Sequence, residues 1–158
     1  VLTKLIFREF LGFEPTWHDA QPDIDAMLAK NDSALIIGDP ALALSEPGAR
    51  ATGLRTFDLA ERWHQHTGLG FVFAMWMTRR ELMSIDLAAA RDEGIANLPA
   101  IAANYSTSTG LAPSDMLTYL SENISYKIDD SMQKGMDLYF RLAEKHGLID
   151  RCRPLEFI

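Results

Sequence analysis

The chain has 158 residues, of which 47% are hydrophobic and 23% are charged, and its formal net charge is −7. These proportions are typical of a globular domain, and the negative charge argues against broad electrostatic binding to nucleic acid or to an anionic membrane. The longest apolar run, 69–77, is far shorter than the ~20 residues of a membrane span. A single cysteine, Cys152, excludes an internal disulfide. We therefore expect a cytoplasmic protein that binds neither nucleic acid nor membrane.

The first predicted element is a helix over residues 1–11 that ends at Gly12. No capping residue precedes this helix. It carries an apolar stripe at helical spacing, formed by Leu2, Leu5, Ile6 and Phe10. Because the chain also starts at Val1 rather than Met, we expect natural sequence to precede it. A second helix is predicted over 23–29, after Pro22 and with acidic residues in its first turn.

The segment that follows has the pattern of a strand, a turn and a helix. Residues 34–37 form a short apolar run without alternation, which is typical of a strand buried on both faces. Gly38 ends the run, Asp39 suits an N-cap, and Pro40 suits the first helical position. A helix N-terminus at the carboxyl end of a buried strand could bind a carboxylate. A capped turn without a ligand explains the same residues.

Asp58 and Glu61 have the spacing of a capping box and begin another predicted helix, which ends at Gly68. His64 and His66 lie on this helix, two residues apart. They point to different sides of it, so we predict no shared metal site.

Residues 71–77 are apolar on both faces and predict a second buried strand. The remaining sequence predicts helices almost throughout, at 81–97, 99–106, 113–123 and 129–146. The hydroxyl-rich cluster at 106–110 could bind an anion, but turn chemistry favours a polar loop between helices.

Three segments together resemble the chorismate dehydratases of the futalosine route to menaquinone. They are 34–42, 58–76, and the run Asn123-Ile124-Ser125-Tyr126 followed by Gly135 and Tyr139-Phe140. The chain departs from the family pattern at Ala60 and Gly70, where the family is expected to have Gly and Pro.

The resemblance implies an α/β fold: the type 2 periplasmic-binding-protein-like two-lobed fold, here without its N-terminal part. Residues 1–70 would form the second α/β lobe, lacking its leading strand. Residues 71–158 would supply the crossover strand and the helical part that returns to the first lobe. The substrate would bind in the cleft between the lobes.

The implied activity is that of a hydro-lyase in menaquinone biosynthesis, which dehydrates chorismate to 3-[(1-carboxyvinyl)oxy]benzoate with neither cofactor nor metal. We expect the turn at Gly38 and Asp39 to face the substrate, with backbone N–H groups of Ala41 or Leu42 directed at it and Trp76 lining the cleft. No residue is assigned as the general base. The base would lie upstream, or a substrate carboxylate would serve.

Two alternatives remain from the sequence. One is a solute-binding module that holds an aromatic carboxylic acid without reaction, since fold does not fix function. The other is the sibling 1,4-dihydroxy-6-naphthoate synthase, which is expected to have His-Glu-Gly-Gln where this chain has Gly38-Asp39-Pro40-Ala41. The missing His favours the dehydratase. No oligomeric state is predicted.

Overall fold

A computed structural model describes residues 1–44, 53–78, 84–151 and 155. Within these residues the elements are helices: α1 (Leu2–Leu5), π1 (Ile6–Leu11, a π-helix), α2 (Ile24–Leu28), α3 (Asp39–Ala43), α4 (Leu59–Thr67), α5 (Leu87–Ala96), α6 (Leu98–Thr109), α7 (Pro113–Thr118), π2 (Tyr119–Asn123, a π-helix) and α8 (Asp130–Lys145). In this part of the chain, every helix is too short or too polar to span a lipid bilayer.

The chain divides into two compact units that alternate along the sequence. Unit 1 comprises Val1–Trp17, Arg55–Thr78 and Lys127–Ile158. Unit 2 comprises His18–Leu54 and Arg79–Tyr126. The predicted division at residue 70 stays a prediction.

The α/β prediction, and with it the two-lobed periplasmic-binding-protein-like fold, is contradicted by the absence of any strand among the described residues. Residues 34–37 and 71–77 form neither helix nor strand, and Ile37 and Met77 are each 74% exposed. A strand exists only where a neighbouring segment completes the hydrogen-bonded ladder. An apolar run cannot specify that neighbour, and no described segment supplies one.

Aspartates at N-cap positions start four of the described helices. Each carboxylate accepts a hydrogen bond from the N–H three residues later, at 2.7–3.1 Å, in the pairs Asp23–Ala26, Asp58–Glu61, Asp86–Ala89 and Asp129–Met132. The predicted cap at Asp58 is thereby confirmed. The helices predicted over 23–29 and 129–146 are also confirmed. Their capping bonds satisfy backbone N–H donors that would otherwise lack a partner at the start of a helix.

The other predicted helices are also present, some at the predicted bounds and some with shifted ones, and the helix predicted over 113–123 is formed by α7 and π2 together. The helix over 1–11 ends at Gly12 as predicted, but its second half is a π-helix. The helix predicted over 81–97 begins at Leu87, and residues 81–83 lie outside the described residues. Helix α6 continues to Thr109, so the loop predicted at 106–110 is wrong. Its hydroxyl groups donate instead to carbonyls three or four residues earlier: Ser106 to Ala103, and Ser108 and Thr109 to Tyr105.

The core of unit 1 is built around Trp63, which is fully buried. Its indole Nε1–H donates to the Gly70 carbonyl oxygen at 3.2 Å. Aromatic rings meet it edge to face at centroid distances of 5.4–6.3 Å: Phe10, Phe71 and Tyr139. Buried aliphatic side chains of α1, π1 and α8 complete the cluster: Leu2, Leu5, Ile6 and Ala143.

Gly70 and Gly135 bring the segment after α4 against α8. The Gly70 N–H donates to the Ser131 hydroxyl at 3.1 Å, while its carbonyl accepts the Trp63 indole. A Cβ atom on Gly135 would overlap the Gly70 carbonyl oxygen and lie 3.1 Å from the carbonyl carbon. The two backbones can therefore approach this closely only because residue 135 has no side chain.

An ionic cluster joins π1 to the end of α8. The Glu9 carboxylate accepts from Lys145 Nζ at 2.8 and 3.0 Å and contacts His146 Nε2 at 2.5 Å. The neighbouring Arg8 donates to the His146 carbonyl at 2.9 Å and pairs with Glu14. Hydrogen bonds from Lys145 and then His146 hold the pKa of the Glu9 carboxyl below its ordinary value of 4.5.

Unit 2 has a smaller core between α6 and α7. Its buried members are Ala102, Leu111 and Met116. Half-buried side chains from three helices pack against them: Leu42, Leu117, Tyr119 and Leu120. Leu42 is the residue that α3 contributes to this core.

We expect Gly135→Ala to destabilise unit 1, since the new methyl group must push the Gly70 backbone away from α8. Overpacking of this kind costs about 1–3 kcal/mol, and each kcal/mol corresponds to about 2–4 °C in Tm for a chain of this size. The matched control is Gly94→Ala, a glycine inside α5 whose added Cβ meets nothing within 4 Å. That substitution should be neutral or stabilising by up to about 1 kcal/mol. Equal Tm values for the two variants would contradict the close approach.

We expect Glu9→Gln to lower the Tm by about 2–4 °C at pH 7, because the ionic cluster loses its anion. The folded pKa of Glu9 is depressed, so its contribution is fully present above about pH 4.5 and is lost as the pH falls through the folded pKa. In thermal melts from pH 7 to pH 3, the Tm difference between the two proteins should therefore narrow as the pH falls below about 4.5. Glu93→Gln, on α5, controls for the change in net charge. A constant difference between wild type and Glu9→Gln down to pH 3 would disagree with the linkage.

Candidate functional site

The turn that begins α3 differs by one residue from the prediction. Gly38 is the N-cap, Asp39 is the first helical residue and Pro40 the second, so the N-cap predicted at Asp39 is wrong. The Gly38 carbonyl marks the start, since it accepts from the N–H groups of Ala41 at 2.9 Å and Leu42 at 3.1 Å. Gly38 has φ 70° and ψ −153°, a conformation that is essentially restricted to glycine.

The surface of this turn is open on one side. Gly38 and Asp39 are exposed, and a Cβ at Gly38 would meet nothing within 4 Å. A flat ligand group could therefore approach the backbone closely at Gly38. By contrast, the N–H groups of Ala41 and Leu42 already donate within the helix, so a ligand would have to share those hydrogen bonds as a second acceptor. Their predicted role in substrate binding stays a prediction.

The two ends of α3 have different surroundings. At its start, the Asp39 side chain is exposed to solvent, next to the N-terminal end of the helix dipole. Further along, the Leu42 side chain is half-buried and packs against the core of unit 2. Helix α3 makes its main contacts with α6. The turn is thus exposed while the helix that carries it is anchored.

Four of the five predicted site residues belong to this turn, and the fifth does not. Trp76 belongs to unit 1, where its side chain is 64% exposed rather than buried in a strand. A surface indole of this kind presents an aromatic face and an N–H donor to solvent. Its assignment to a substrate site stays a prediction.

The histidines of α4 have structural contacts. His66 stacks on Phe10 with ring centroids 4.6 Å apart and an angle of 7°, and His64 Nδ1 lies 3.3 Å from the Leu69 carbonyl oxygen. Among the described residues, no three His, Cys, Asp or Glu side chains converge as a metal site would require. No role was predicted for His146 from the sequence. Its contact with Glu9 joins residues 137 positions apart, so no pattern of neighbouring residues indicates it.

The chain is 29% identical over 164 aligned positions to a protein named chorismate dehydratase from Thermus thermophilus, and the match covers 93% of this chain and 58% of that protein. It is 34% identical over 127 positions to a chorismate dehydratase from Campylobacter jejuni, with 78% of this chain and 54% of that protein covered. No solved structure matches it.

The chain spans little more than half the length of these curated relatives. A family model described as menaquinone biosynthesis matches residues 1–145, which is most of the chain. The segments quoted for the resemblance, from residue 34 to Phe140, all lie inside that match. The chain therefore belongs to the menaquinone-biosynthesis family.

Proposed function

We propose that this protein is a hydro-lyase that removes water from chorismate and forms 3-[(1-carboxyvinyl)oxy]benzoate, in the futalosine route to menaquinone. The observation that carries the proposal is the family match over residues 1–145, together with two relatives that are both named chorismate dehydratase. Both the substrate and the activity are proposals for the whole protein, because the relatives extend beyond the matched part.

The reaction balances without any partner other than the substrate. The C–H bond at the ring carbon that carries the enol ether breaks, the C–OH bond at the adjacent ring carbon breaks, and the proton and hydroxide leave as water while the ring becomes aromatic. After proton loss, negative charge spreads through the diene onto the ring carboxylate. Fixed donors at that carboxylate would stabilise the charge more in the transition state than in the substrate. The step is redox-neutral, so it needs no electron acceptor.

We assign the substrate contacts to the turn at Gly38 and Asp39 and to the backbone of Ala41 and Leu42. Support comes from the open space beside Gly38, which admits a ligand to the backbone. No side chain of this chain is assigned as the base. The single cysteine is compatible with a reducing compartment, so we place the activity in the cytoplasm.

Incubation of the purified full-length protein with chorismate tests the activity. We expect 3-[(1-carboxyvinyl)oxy]benzoate to accumulate, without added cofactor, as followed by liquid chromatography and mass spectrometry. Saturable binding of chorismate with no product would refute the lyase and favour the solute-binding module. Product formation from cyclic dehypoxanthine futalosine instead would identify the sibling naphthoate synthase.

The location of the site is tested by glycine-to-alanine substitutions at two positions with positive φ. Gly38 and Gly110 have φ values of 70° and 77°, and neither would place a Cβ near another atom. Gly38→Ala should cost more stability than Gly110→Ala, because ψ is −153° at Gly38, a conformation essentially restricted to glycine, and 2° at Gly110, in the left-handed helical region. Both variants are therefore assayed at a temperature where each is folded. Only Gly38→Ala should lower kcat/KM, by roughly tenfold or more, because it displaces the turn that meets the substrate. Equal kcat/KM values for the two variants would move the site elsewhere.

A further inference from the structure

We draw no further inference here: the strongest candidate, the exposed apolar surface patch on residues 71–77 of unit 1, where Phe73, Trp76 and Met77 are 67%, 64% and 74% exposed, carries no proposal because nothing in the described residues shows what covers it.

Discussion

Unit 1 depends on the close approach of one backbone segment to one helix. Gly70 accepts from the buried indole of Trp63, on the preceding helix α4, and donates to Ser131, and this second bond requires α8 to lie directly against residue 70. The absence of a side chain at Gly135 allows that distance. If the segments separated, the Gly70 N–H would lose the Ser131 hydroxyl as its acceptor, at a cost of about 0.5–1.5 kcal/mol. The aromatic cluster around Trp63 is therefore arranged by a backbone constraint as much as by apolar burial.

In unit 2, the exposed turn that begins α3 belongs to a helix that packs against a buried core. Helix α3 is too short to be stable alone, and its half-buried Leu42 reaches the cluster between α6 and α7. Stabilisation of a delocalised anion depends on donors that are already in place when the charge forms. A turn with the φ value of Gly38 offers backbone access that a residue with a side chain would obstruct.

Features whose partners are close in sequence could be predicted, and those that need distant partners could not. The cap at Asp58 and the end of that helix at Gly68 involve residues within five positions of each other, and both were correct. The strand predictions were wrong because an apolar run such as 34–37 carries no information about which segment would pair with it in a sheet. The contact of Glu9 with His146 and the close packing of Gly135 against residue 70 also join residues that are far apart in the sequence, so they could not be predicted either. Of the candidate site, the turn itself was predicted to within one residue, while the family resemblance supplied its chemistry.

We propose that the turn at the start of α3 binds the substrate of a dehydration reaction. The decisive experiment is titration of isotopically labelled full-length protein with 3-[(1-carboxyvinyl)oxy]benzoate, followed by amide NMR shifts. Saturable shifts are expected at the amides of Gly38 and Asp39. A protein that converts chorismate, yet shows its saturable shifts elsewhere and none at Gly38 or Asp39, would contradict it.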